Sequence, residues 1–311
     1  MYNIVQHRKT YYILSAVLLI ASLLMMAYSY ITIGSPFRLS IDFTGGVYWE
    51  FQLGNSVQPG QVRDVFLAQG LSDTSVTTVG NEGNRFQARL KEVTPEIKAQ
   101  LEQQLGAQFG SINTLEYRNV GPSVGREVTR AALWAVLLAS AAIVGWIVFA
   151  FRNVSHPLRY GVSAIVAMVH DVVIASGFAA LMGLLIGYEV DALFLTALLT
   201  VLGYSVQDTI VVFDRIRENS KRHAGEDFET IANRSLLETV GRSLTTQLNA
   251  FFIMIAILLF GGDTIKSFIA IMLVGMISGT YSSIFNATPL LVTWEKWAAN
   301  RTRQQAKAAA A

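Results

Sequence analysis

Residues Ala192–Phe213 read ALFLTALLTVLGYSVQDTIVVF, and this run decides the class of the protein. It is long enough to cross a hydrocarbon layer of about 30 Å as a helix, which takes roughly 20 residues. It also holds a carboxyl group, Asp208, well inside the apolar stretch. A charged side chain at the centre of a membrane helix costs about 2.5–3.5 kcal/mol or more, so it normally faces a bundle interior, a partner or water. A lone span has nowhere to put such a group; a bundle has.

Working outward, five further segments have the length and apolarity to span: Tyr12–Ile33, Ala131–Phe151, Tyr160–Leu185, Ser243–Phe260 and Phe268–Val292. The first follows His7, Arg8 and Lys9, as a signal peptide would, but its apolar stretch exceeds a typical signal core. No small-x-small cleavage site precedes Pro36, so a retained helix is expected. Composition agrees with a polytopic membrane protein. Hydrophobic residues make up 52% and charged residues 15% of the 311 positions, against about 25% charged in ordinary soluble domains. A purely cytosolic enzyme is excluded. The chain has no cysteine, hence no disulfide or thiolate chemistry.

Net charge is only +2, but its distribution orients the spans. His7–Lys9, Arg152 with Arg159, the run from Arg215 to Arg242, and Lys296 to Lys307 fall on one side if six helices alternate. The opposite loops, Gly187–Asp191 and Gly261–Ser267, hold only Lys266 as a base. The positive-inside rule therefore puts residues 1–11, residues 293–311 and both termini in the cytoplasm. Residues 34–129 then lie outside, between the first helix and the block of five helices in 131–292. The last stretch, Arg301–Ala311, has no apolar face and is expected to fray.

The outer segment reads as β-α-β-β-α-β, the ferredoxin-like order. Its elements are a strand within Arg38–Leu53, a helix over Gln58–Gln69 led by Pro59, strands at Asp73–Val79 and Asn84–Leu90 around Gly80–Gly83, a helix over Thr94–Phe109 led by Pro95, and a strand at Ser111–Asn119. The expected fold is thus six transmembrane helices with one α+β domain between helices 1 and 2. Two glycine-rich motifs punctuate it. DFTGG (Asp42, Gly45, Gly46) lies in or beside the first outer strand, and VGPSVG (Gly121, Pro122, Gly125) joins the domain to the second span. A hinge, a tight membrane entry and an ordinary linker all fit.

Ionisable residues inside the spans are the candidate site. His170 and Asp171 lie about 17 Å into the third span, and Asp208 about 10 Å inside the basic boundary of the fourth. Ser205, Asp208, Thr209 and Val212 share one helical face; Arg242, Thr245, Thr246 and Asn249 share another at the start of the fifth span. Arg242 can snorkel to the interface or reach inward to Asp208. Burial disfavours an ionised carboxyl group and a nearby guanidinium favours it, so a carboxyl moving between such surroundings can load and release a proton. A static Asp208–Arg242 pair, a purely structural network around Asp171 and a packed imidazole at His170 are the competing readings. The four histidines (7, 156, 170 and 223) are scattered, so no metal site is expected, and no nucleophile–base set or phosphate loop suggests an enzyme. The proton is the only coupling ion the pattern offers. Gly275-x-x-x-Gly279 in the sixth span favours close helix approach.

Together DFTGG, VGPSVG, His170–Asp171, GYSVQDTIVVFDRIREN (Gly203–Asn219), RSLTT (Arg242–Thr246) and FGG (Phe260–Gly262) closely resemble the SecF side of the SecD/SecF family of bacterial protein-export membrane proteins, part of the RND superfamily. The resemblance covers nearly the whole chain; Gln207 stands where the family more usually has Asn. It implies an inner-membrane protein that acts with SecD, beside the SecYEG translocon and with YajC and YidC as further neighbours, to use the proton-motive force in moving preproteins. It also implies Asp208 as the proton-carrying acid, Arg242 as its basic counterpart, and a lesser role for Asp171 and His170. No SecD half is fused here, so one half of a transport unit is expected. Two other classes share the polar seam: half of a proton-coupled small-molecule exporter, and a translocon assembly factor without proton flux. Co-isolation with a translocon, and proton conductance of the reconstituted pair, separate the three.

Overall fold

A computed structural model describes residues 3–79, 83–152, 154 and 156–309, without the side chains of 263, 264, 303 and 306–309. It divides into two compact units, residues 39–134 and residues 1–38 with 135–311.

The smaller unit begins with a departure from the strand expected over Arg38–Leu53. A short helix, α2 (Ile41–Thr44), precedes the strand β1 (Gly46–Leu53). The physical reason is local. The Ser40 hydroxyl accepts from the Asp42 N–H at 3.2 Å and caps the turn. Gly45 and Gly46 then take φ of +74° and +116°, which redirects the chain into the sheet. Then come α3 (Pro59–Ala68), β2 (Ser75–Thr78), β3 (Arg85–Leu90), α4 (Pro95–Phe109) and β4 (Ile112–Val120). The strands form one antiparallel sheet in the order β2-β3-β1-β4, with Trp49 opposite Ala88 on β3 and Tyr117 on β4. Residues 80–82 of the expected turn lie outside the described residues.

Alternation along β1 puts Val47, Trp49, Phe51 and Leu53 on one face. They bury against Val62 and Phe66 of α3 and Leu101 and Leu105 of α4. The two glycine motifs meet in the same unit. A Cβ on Gly125 would come within 2.9 Å of Gly45 N and Phe43 O, and one on Gly45 within 2.8 Å of Pro122 Cα. Backbone packed on backbone is not a free linker.

Among its described residues the larger unit holds six helices long and apolar enough to cross a membrane. They are α1 (Arg8–Ile33), α5 (Pro122–Ala150, whose first turns belong to the smaller unit), α6 (Pro157–Ile186), α7 (Ala192–Arg222), α8 (Phe228–Phe260), and a final rod. That rod is α9 (Asp263–Ser282), a π-helical turn (Ser283–Ala287) and α10 (Thr288–Ala309) in unbroken succession. Helix therefore continues through the segment expected to fray, up to Ala309. α7 and α8 likewise extend past their apolar stretches, leaving only residues 223–227 between them.

Packing of α1 inverts the soluble pattern. Along α1 the buried residues are Ser15, Ser22 and Ser29, seven apart, while Ile13, Val17, Ile20 and Leu24 face outward. Without a hydrophobic drive between helices in lipid, small residues that permit close approach hold them together. Ser22 sits where a Cβ on Gly177 of α6 would come within 2.3 Å of its own Cβ, and a Cβ on Gly275 of α9 would come within 2.4 Å of Val201 Cγ2 on α7. At the end where α1 begins, Asn233 Oδ1 of α8 accepts from the Ile4 N–H at 2.9 Å, and Glu229 pairs with Arg8 and Lys296.

The α1–α6 contact yields a test. Gly177→Leu should destabilise the protein by about 1–3 kcal/mol, the usual range for overpacking. Gly145→Ala in α5, where nothing lies within 4 Å, should be neutral or slightly stabilising. Thermal unfolding in detergent micelles measures both.

Candidate functional site

Two buried carboxyl groups sit at the centre of the helical unit, and their surroundings differ in kind. Asp171 on α6 is 0% exposed. Its Oδ2 accepts from Ser205 Oγ of α7 at 2.5 Å and Ser282 Oγ of α9 at 2.6 Å. Its Oδ1 accepts from Ser278 Oγ of α9 at 2.7 Å and lies 3.0 Å from His170 Nδ1. A carboxyl group offers about four hydrogen-bonding positions, and three hydroxyls and one ring nitrogen stand at them. Three helices thus meet on one side chain.

The donors come together because their spacings match. Gly275, Ser278, Gly279 and Ser282 recur at helical intervals and form one face of α9. The glycines let α7 approach: a Cβ on Gly279 would lie 3.2 Å from Ser205 Cα. The serines use that proximity. Ser278 and Ser282 were not singled out in the sequence, although the G-x-x-S-G-x-x-S pattern could have found them.

Asp208 on α7 is 4% exposed and sparsely held. Its Oδ2 accepts from Gln247 Nε2 of α8 at 2.8 Å. The Ser243 hydroxyl lies against the same carboxyl group, outside good hydrogen-bond geometry. Among the described residues, no Lys or Arg forms an ion pair with Asp208 (ion pairs within 4.0 Å). The expected approach of Arg242 is thus not made in this conformation. Arg242 is exposed and lines a polar cleft with Asp214, Arg215, Arg217 and Glu218 at the basic end of α7.

The phase of α8 explains this. Its inward face passes through Ser243, Gln247 and Met254, all buried. Arg242, Thr245, Thr246 and Asn249 lie off that face and are exposed. The Thr245 and Thr246 hydroxyls donate to the carbonyls of Gly241 and Arg242 in their own helix, at 2.9 and 3.0 Å. The expected seam on α8 is therefore displaced: Ser243 and Gln247 take the inward places assigned to Thr245, Thr246 and Asn249. On α7 the seam divides. Ser205 belongs to Asp171, and Thr209 donates to the Ser205 carbonyl at 3.1 Å.

His170, 4% exposed, completes the arrangement. Nδ1 faces Asp171, Nε2 is buried with no hydrogen-bond partner among the described residues, and the ring stacks on Tyr281 with centroids 6.2 Å apart. His170 and Asp171 thus form one cluster, Asp208 and Gln247 a second, and Arg242 stands apart from both.

Removing a donor from a buried carboxylate leaves it under-satisfied, at about 1–3 kcal/mol. Ser282→Ala should destabilise by that amount. In an Asp171→Asn background the same change should cost much less, because the charge needing the donor is gone. A double-mutant cycle in thermal unfolding checks the pairing.

The sequence model of the C-terminal region of protein export membrane proteins SecD/SecF matches residues 100–297. The protein translocase subunit SecF of Thermobaculum terrenum is 46% identical over 306 residues, covering 95% of this chain and 94% of its own. The subunit of the same name from Anaerolinea thermophila is 43% identical over 299 residues, again covering 95% and 94%. Among solved structures, SecDF, a translocon-associated membrane protein from Thermus thermophilus, superposes with a TM-score of 0.78 at 30% identity. That match covers 95% of this chain but 39% of the SecDF chain, so the present chain spans well under half of that protein. A crossing bundle, two buried carboxyl groups and full-length kinship with translocase subunits agree, and the chain belongs to the SecD/SecF family of protein-export membrane proteins, on its SecF side.

Proposed function

We propose that this chain works with a SecD half as a proton-driven accessory of protein export, moving preproteins through the SecYEG translocon, with YajC and YidC as further neighbours. The observation that carries the reading is Asp208: a carboxyl group 4% exposed inside a membrane-crossing helix, held by one neutral amide. A neutral acid is tolerated in such a place, whereas the ion requires water or a cation to come to it. Protonation and release can therefore be tied to a change in what faces α7. The exposed Arg242, with Thr245, Thr246 and Asn249 beside it, supplies a polar surface in a lipid-depth region that a second half can cover. Asp171, saturated with donors, is read as the fixed centre about which the helices move. The only ion this mechanism needs is the proton, and no covalent step is involved.

In this reading the 39–134 unit is a ferredoxin-like periplasmic domain. Its strand order β2-β3-β1-β4 and its β-α-β-β-α-β sequence support the fold, and the basic loops favour an inner-membrane protein with both termini on the cytoplasmic side. Kinship with subunits named as protein translocases favours export of proteins over the small-molecule exporter and assembly-factor readings. Movement of the helices would be passed to this domain, and through it to a chain emerging from the channel.

Asp208→Asn is the decisive variant. Proton-gradient-dependent release of a preprotein by the complex with SecD should fall at least about tenfold, while the ATP-driven stage proceeds. Unchanged release would remove the relay.

A further inference from the structure

Gln247 of α8 is buried, yet its amide is held at one atom. Nε2 donates to Asp208 Oδ2 at 2.8 Å, while Oε1 lies buried with no hydrogen-bond partner among the described residues. Ser243 Oγ, one turn earlier on the same face, lies against the same carboxyl group and is equally without a well-aligned partner. Buried side-chain oxygens are paired in the large majority of cases, so one left open beside an acid calls for an explanation. The chemistry of the pair supplies one. An ionised carboxyl group can only accept, whereas its protonated form carries an O–H that has to donate. A guanidinium has donors alone and suits the ion; a primary amide has two donors and an acceptor and suits both forms. The acceptor that the neutral acid requires is the atom standing open, on the amide that already reaches Asp208. Rotation about the last side-chain torsion of Gln247, which is broad and roughly two-fold, turns Oε1 to the carboxyl group. Among the described residues Asp208 is the only hydrogen-bond partner of that amide, so the rotation breaks no other bond.

We propose that Gln247 is the positioning residue of the proton-carrying step: Nε2 donates to Asp208 while the acid is ionised, and Oε1 accepts the Asp208 O–H once it is protonated. The inference rests on the proton-driven reading above and deepens it. The proton comes from, and returns to, the water that reaches Asp208; Gln247 gains and loses none. Few other groups face this acid among the described residues. Ser243 and Gln247 do so from α8, and Arg242 lies off that inward face. Asp171 of α6, with Ser278 and Ser282 of α9, forms the separate cluster turned to Ser205 of α7. Asp208 therefore keeps a hydrogen bond in both of its states, and burial weighs less against passing from one to the other. Arg242 in the same place would favour the ion alone. A neutral amide there leaves the acid able to hold its proton until a cation or water arrives.

Infrared difference spectra between acid and alkaline pH test this on the SecD-containing complex in lipid vesicles, with an isotope label in the glutamine side-chain carbonyls. A protonated-acid carbonyl band should appear at acid pH and be lost in Asp208→Asn. With it, one glutamine carbonyl band should move to lower frequency, because its oxygen gains a hydrogen bond. That shift should vanish in Asp208→Asn and in Gln247→Met. Methionine keeps the length and much of the volume but not the amide, so a role in packing alone predicts unchanged proton flux and an unmoved acid band in that variant. The proposal expects the acid band of Gln247→Met to rise in frequency and its flux to slow about tenfold; unchanged flux overturns it. An Asp208-dependent acid band with no glutamine shift also overturns it, and leaves the Asp208 relay standing. Absence of any such acid band overturns the relay itself, so the two failures are read apart. The wild-type and Asp208→Asn spectra decide the glutamine shift even where Gln247→Met does not fold.

Discussion

A carboxyl group buried in a membrane-crossing bundle has to find hydrogen-bond partners there, and Asp171 organises the helical unit around that requirement. No single helix supplies all four partners to that side chain. α6 brings the acid and its neighbouring imidazole, α7 brings Ser205, and α9 brings Ser278 and Ser282. The small residues beside these groups, Gly275 and Gly279, follow from the same need, because hydroxyls reach only when backbones come close. In lipid, where apolar surfaces gain little from meeting each other, such a polar centre and its small-residue contacts do much of the work that a hydrophobic core does in water.

Asp208 shows what happens when that requirement is left open. It shares α7 with Ser205, less than one turn away, yet meets one amide and a poorly aligned hydroxyl. Two chemically identical groups on adjacent helices are thereby given different roles by their neighbours. One is held, and the other is free to respond to whatever approaches the exposed side of α8.

The smaller unit uses the opposite physics. Its core is an aromatic cluster, with Trp49, Phe51, Phe66 and Phe86 in mutual ring contact beneath two helices. Several of its close backbone contacts gather where the chain enters β1 and where α5 begins. Both glycine motifs are needed there, since a Cβ on either strand of the contact would push the other away.

Much of this was legible in the amino-acid order. The six spans, the helix and strand succession of the smaller unit and the mid-membrane acids follow from composition and periodicity, because lipid thickness and the pleat of a strand impose lengths and repeats that single segments must obey. The helical turn at Ile41–Thr44 escaped, since Ser40 capping and paired positive φ values override β-branched composition locally. What the sequence could not decide was which polar groups meet. Ser205 falls on the same face as Asp208 but bonds to Asp171; Gln247 rather than Arg242 reaches Asp208; the serines of α1 and α9, unremarkable one by one, face inward. Periodicity assigns a residue to a face of its own helix, while the rotation of that helix against its neighbours comes from fitting all of them at once, and only the folded bundle sets that angle.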